Sequence, residues 1–164
     1  MNNQQQTEKD RVAIFHRSSD IEWLYQTHIP GERTTIRVSG EDTNGAYAIV
    51  DAIIYATDGD VNGPPIHIHQ RTDEIFRILE GTAHIYLEGE EFDAVAGDVV
   101  VIPKGKAHTF ANFSDTPLHM QATFIPAGEE QSFKEVIGKT PEEIIELSKT
   151  KYHVIISGPP LQKK

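Results

Sequence analysis

From Val12 to about Pro126 apolar and polar residues alternate in short runs rich in Val, Ile, Tyr, Phe and Thr, each closed by Gly, Pro, Asp or Asn. A period of two is the signature of strands with one buried face. Many such runs separated by Gly-containing turns predict an antiparallel all-β sandwich or barrel. The runs place strands at 12–15, 21–25, 34–38, 46–55, 66–69, 74–79, 82–87, 92–95, 98–102, 108–113 and 118–124. Glu80-Gly81, Glu88-Gly89 and Ala96-Gly97 fall between runs, where glycine accepts the positive φ of a tight turn, and are expected to be hairpin corners.

After Pro126 the period changes. Phe133, Val136 and Ile137 are spaced as on a helix and predict a short one over 129–137. A second is marked by Thr140-Pro141-Glu142-Glu143, which offers an N-cap, a proline at the first helical position and a glutamate three residues past the cap. It is expected to run to about Ser148. Residues 152–156 read as extended, and Gly158-Pro159-Pro160-Leu161 as a stiff tail. Residues 1–11 are polar and Gln/Asn-rich and are expected to form a disordered tail. That leaves 12–164 as a single domain with a helical extension over 128–149, and a chain of 164 residues is long enough to bury a real core.

Charge and composition narrow the partners. With 25 acidic against 15 basic residues the formal charge is -10, and the Lys and Arg are scattered, which argues against nucleic acid and anionic membranes. The chain has no cysteine, so disulfides, thiolate metal ligands and Cys nucleophiles are excluded, and any metal must be held by His and carboxylates. No run resembles a signal peptide or approaches the ~20 apolar residues of a membrane span, so a cytoplasmic location is expected.

The chemistry concentrates between Gly63 and Asn112. His67 and His69 lie two apart in an extended run, so they leave the same face of a strand with Cα atoms roughly 6.5–7 Å apart. Two imidazoles can close that span onto one ion with ~2 Å bonds. An H-x-H pair alone more often marks two surface histidines. Here Pro64-Pro65 leads in, a polar turn follows, and Glu74 opens the next strand on the face shared by Phe76 and Ile78. An unpaired carboxylate at the lip of an apolar interior is costly, whereas a metal-bound one is not. Further on, a buried strand ends in the Pro103-Lys104-Gly105 turn and delivers His108, with Phe110 and Asn112 on its face. By itself His108 reads as a satisfied core histidine.

Taken together these residues resemble the two motifs of the cupin superfamily, G-x5-H-x-H-x3or4-E-x6-G and G-x5-P-x-G-x2-H-x3-N. The second matches at every fixed position from Gly97 to Asn112, and the first from His67 through His69, Glu74 and Gly81. The first departs at its start, because Gly63 stands four residues before His67. Gly40–Tyr47, Gly63–His69 and the Gly-Pro-Pro-Leu ending look more narrowly like small single-domain cupins described as quercetin-dioxygenase-like. The resemblance implies a double-stranded β-helix, the jelly-roll cupin barrel, with short C-terminal helices. It also implies that His67, His69, Glu74 and His108 hold one divalent transition metal ion, and that copies pair as a homodimer through sheet faces and swapped end strands.

Three neutral imidazoles and one carboxylate leave about one net positive charge on a divalent ion, which suits an anionic or enolisable small molecule. Fe, Mn, Ni, Co, Cu and Zn all accept this donor set. The leading expectation is a dioxygenase acting on an enol or phenol such as a flavonol, with Glu74 as ligand and proton acceptor. The alternatives are a sugar- or metabolite-binding cupin without catalysis and a non-oxidative isomerase or lyase. Phe76, Ile78, Ile102 and Phe110 are candidates for an apolar wall, and Asn112 for a structural bond to turn backbone. His84 is expected to point outward and His119 is ambiguous. His16, His28 and His153 lie in peripheral segments, and Arg77 and Lys104 read as solvated or interface charges.

Overall fold

Alternation is visible strand by strand. In β5 (Asp73–Glu80) Glu74, Phe76 and Ile78 are buried while Asp73 and Arg77 are exposed; in β8 (Val99–Ile102) Val100 and Ile102 are buried and Val99 and Val101 exposed. The structure is a computed structural model that describes residues 12–164, so the tail expected over 1–11 lies outside the described residues. The remaining strands are β1 (Leu24–Tyr25), β2 (Glu32–Val38), β3 (Ala48–Ile54), β4 (Pro65–His69), β6 (Thr82–Leu87), β7 (Glu90–Val95), β9 (His108–Ala111), β10 (Leu118–Ile125) and β11 (Val154–Pro160).

They form two antiparallel sheets, one ordered β1-β2-β3-β10-β5-β8 and the other β11-β4-β9-β6-β7. Between them Ile54, Phe76, Ile78, Ile85, Leu118 and Met120 are almost fully buried, each side chain contributing ~1.5–3 kcal/mol of hydrophobic burial. This is the antiparallel all-β architecture expected from the alternation, arranged as the jelly roll that the resemblance implies. All three turn glycines have positive φ, at 80° for Gly81, 95° for Gly89 and 100° for Gly97. Only Gly89 closes a hairpin, between β6 and β7, whereas Gly81 and Gly97 carry the chain from one sheet to the other.

The run at 12–15 is not a strand. Val12 and Phe15 are 74% and 77% exposed, and the strand expected over 21–25 shrinks to Leu24–Tyr25. A period-two pattern states which face would be buried but not whether a neighbouring edge exists to bury it.

At the other terminus, a 3-10 turn (Glu129–Gln131) leads into α1 (Ser132–Glu135), shorter than the helix expected over 129–137. The capping box forms as read: Thr140 Oγ1 accepts from the Glu143 N–H, and the Glu143 side chain accepts from the Thr140 N–H at 2.8 Å, opening α2 (Pro141–Leu147). A π turn over Ser148–Tyr152 then ends at His153 in the left-handed region. The segment read as a stiff tail is the edge strand β11, paired with β4 as far as Pro160. Prolines are tolerated there because an edge strand has one side free of ladder bonds. No helix among the described residues is long and apolar enough to cross a membrane.

The early glycine of the first motif has a packing role. A Cβ on Gly63 would stand 2.0 Å from the Phe110 carbonyl oxygen, so only glycine lets this segment lie against β9. Asn112 acts structurally, as expected. Its Nδ2 donates to the Ile54 and Thr116 carbonyls, and its Oδ1 accepts from Ser114.

Candidate metal centre

His67 and His69 leave β4 on one face, and His67 stands opposite His108 across the β4–β9 pair. The turn at 70–72 carries the chain to the other sheet, where Glu74 begins the inward row of β5. The five-stranded sheet thus provides three imidazoles and the six-stranded sheet one carboxylate. Their ligand atoms all lie within 4.8 Å of one another. His69, Glu74 and His108 are buried, and His67 is half-buried.

Each ring is held from behind through Nδ1. His67 Nδ1–H donates to the Pro65 carbonyl at 2.8 Å and His108 Nδ1–H to the Lys106 carbonyl at 2.9 Å. A carbonyl only accepts, so both Nδ1 atoms carry the proton, which leaves Nε2 as the nitrogen that can ligate. His69 Nδ1 instead meets the carboxylate of Glu129, with which it makes a very short contact.

The Nε2 atoms of His108 and His69 lie 2.9 and 3.1 Å from the same Glu74 oxygen. The first is a well-formed hydrogen bond; the second is poorly aligned, and His69 Nε2 has no hydrogen-bond partner. A neutral imidazole has one N–H, already used at Nδ1. Without a metal the cluster must therefore hold an additional proton, which a divalent cation replaces. The residues present fit such an ion.

The titration behaviour agrees with that geometry. Burial, reinforced by the charges of His108 and His69, pushes His67 down to about 3, so its ring is neutral. Burial alone would lower His69, but Glu74 and Glu129 outweigh it and raise it to about 10. Burial would raise Glu74, yet His69 and His108 hold it well below the usual carboxylate range.

The cluster opens into a cavity of about 470 Å³ between the two sheets, mostly apolar, with Phe76, Phe110, Met120 and Phe124 on the strand side and Phe133 and Ile144 on the helical side. Of the wall residues expected from the sequence, Phe76 and Phe110 line it, whereas Ile78 and Ile102 belong to the packed core.

The remaining histidines stand apart. His84 lies on the outer face of β6, its Nδ1 2.7 Å from Asp93 and its Nε2 3.1 Å from Glu91, so it meets carboxylates rather than bare solvent. His119 approaches Asp51 at 3.7 Å and His16 approaches Asp42 at 3.3 Å. His28 lines the cavity and belongs to none of the ligand positions. Sequence reasoning missed Glu129, for which no spacing rule exists. The only signal was an acidic residue in the first turn of a predicted helix, where an acid is unremarkable.

Residues 57–134 match the family model for the cupin domain. With two antiparallel sheets and this cluster between them, the chain carries a cupin domain. It is 30% identical over 103 residues to quercetin 2,3-dioxygenase of Bacillus subtilis, an alignment covering 62% of this chain and 28% of that protein. Among solved structures, KdgF from Halomonas sp. superposes with a TM-score of 0.58 at 24% identity, over 72% of this chain and 99% of that one. A predicted oxalate decarboxylase from Thermotoga maritima gives 0.59 at 24% identity, over 69% and 99%. At that identity the structural likeness is one of fold. The chain spans between about a quarter and a half of the length of the curated relatives it matches first.

Proposed function

We propose that this cupin binds one divalent transition metal ion through His67, His69, Glu74 and His108 and acts as a dioxygenase on an enol- or phenol-type small molecule such as a flavonol. The observation that carries the reading is the convergence of four donor atoms within 4.8 Å of one another at the wall of an apolar cavity. A bound ion would supply Lewis-acid polarisation of a substrate oxygen and a site for O2 chemistry. The chain's own part is to hold, orient and exclude water. The three rings are fixed through Nδ1, and Phe76, Phe110 and Phe124 shield the cluster. Glu74 is the group placed to accept a proton from a substrate hydroxyl.

The apolar lining favours a flat or aliphatic body over a sugar, whose hydroxyls would need polar partners. A second reading, binding without turnover, is favoured by one observation: the Glu74 oxygen is shared between His69 and His108, which restrains it as a base.

Elemental analysis after metal-replete expression should find close to one ion per chain. Less than a tenth of an equivalent, with no stabilisation by added Fe, Mn, Ni or Co, would defeat the metal reading. Glu74→Gln separates enzyme from binder. In the metal-saturated variant O2 consumption with a flavonol should drop ~100-fold or more, the usual scale for a general base. Undiminished turnover would remove Glu74 from the chemistry.

A further inference from the structure

A second carboxyl faces the same cavity, away from the four clustered side chains. Glu32 opens β2 with its backbone fully engaged: its N–H donates to the Ile29 carbonyl at 3.2 Å and its carbonyl accepts from the Gln26 N–H at 3.0 Å. Its side chain is only 5% exposed and lines the cavity, and Oε2 has no hydrogen-bond partner among the described residues. Burial alone pushes this carboxyl up to about 8. At neutral pH it is therefore an acid with an O–H to donate. A buried donor without a partner is unfavourable, and native interiors rarely keep one without a use.

Position in the sheet says what that use can be. In the order β2-β3-β10-β5 two strands separate Glu32 from Glu74. Three interstrand steps amount to about 14 Å across the strands, and the register sets Glu32 level with Ile54 but Glu74 level with Phe124 and Ala48, six residues further along β3. The two carboxyls therefore meet opposite parts of a ligand. Between them the inner faces of β3 and β10 present Val50, Ala52, Met120 and Ala122 to the cavity, all apolar.

We propose that Glu32 is a ligand-contacting residue, donating a hydrogen bond from its carboxylic O–H to an uncharged oxygen at the far end of an elongated, mostly apolar molecule. The other end of that molecule, an anionic oxygen, lies at the cluster of His67, His69, Glu74 and His108. The inference rests on the metal-centre reading above and adds to it the polarity pattern of the ligand: anion, apolar body, neutral acceptor.

The test uses zinc-loaded full-length protein, in which a redox-inert ion permits binding without turnover. The probes are 3-hydroxyflavone and its 4'-methoxy derivative, titrated by fluorescence. The parent should bind the methoxy compound about tenfold more tightly, the usual scale of one added hydrogen bond in a buried site. Glu32→Leu should bring the two affinities within about twofold. Glu32→Gln should keep the preference, since its amide N–H can donate. A preference unchanged in Glu32→Leu, no preference in the parent, or no binding of either probe overturns the proposal. Equal loss in Glu32→Gln and Glu32→Leu would point to a cationic ligand group and overturn the assignment of a neutral acceptor.

A measurement without ligand stands beside these. Because Glu32 has no partner to lose, Glu32→Leu should melt at the parent's temperature or above it, and a fall of more than about 4 °C would assign Glu32 to structure. Zinc uptake, read by chelator competition, reports separately on the underlying reading. Failure of the parent to take up zinc defeats the metal centre, whereas normal uptake with an unchanged preference defeats this inference alone.

Discussion

A histidine that ligates through Nε2 is oriented by whatever its Nδ1 touches, and the rings here rest on different groups. Two lean on local carbonyls, Pro65 and Lys106, each two residues before its histidine. His69 leans on Glu129, 60 residues away. When ionised, that carboxylate offsets the single positive charge expected for a divalent ion on three imidazoles and Glu74, leaving the centre close to neutral. Glu129→Ala should therefore weaken metal binding about 10- to 100-fold, the range seen when such outer partners are removed. Glu129→Gln, which keeps an acceptor but not the charge, should fall between. Unchanged chelator competition in the alanine variant would show that the contact does not orient the ring. His108→Ala removes a donor and should reduce affinity strongly, whereas His84→Ala, on the outer face with Glu91 and Asp93, should leave it unaltered. Equal losses would mean that the parity of these strands is misassigned.

At the scale of elements, the site depends on a helix as well as on strands. Pro141, Ile144 and Ile145 line the cavity, so α2 forms part of its wall. Its start is fixed by the reciprocal bonds of Thr140 and Glu143. Thr140→Ala should cost ~1 kcal/mol and lower the melting temperature by about 2–4 °C. A loss below half a degree in thermal unfolding would mean that α2 is held by packing alone. The strands were legible because a period of two survives in the residue order, and β6 coincides with its expected span, Thr82–Leu87. Ends were harder to read. The Val12–Phe15 run has strand composition without a neighbouring edge, and the Pro159-Pro160 ending has tail composition yet pairs with β4.

For the molecule as a whole, Glu32 links stability to pH. Its folded value of about 8 lies above the unfolded 4.5. Between those values the folded state keeps a proton that the unfolded chain has released, so stability falls as pH rises through that window and is fullest below it. Urea unfolding of metal-free protein should show Glu32→Gln losing less stability than the parent between pH 5 and 8. Parallel curves would place the Glu32 carboxyl in a better solvated setting. Sequence alone determined the alternation of the barrel strands, the α2 cap and the shared face of His67 and His69, because each depends on residues a few positions apart and on fixed strand or helix geometry. It also marked Glu74 and His108, through motif spacing that brackets short turns. Tertiary structure alone decided that Glu129 stands behind His69 and that Glu32 faces the same cavity. Those placements arise where two sheets and a C-terminal helix close around a common space, and no periodicity along the chain records which distant side chains meet there.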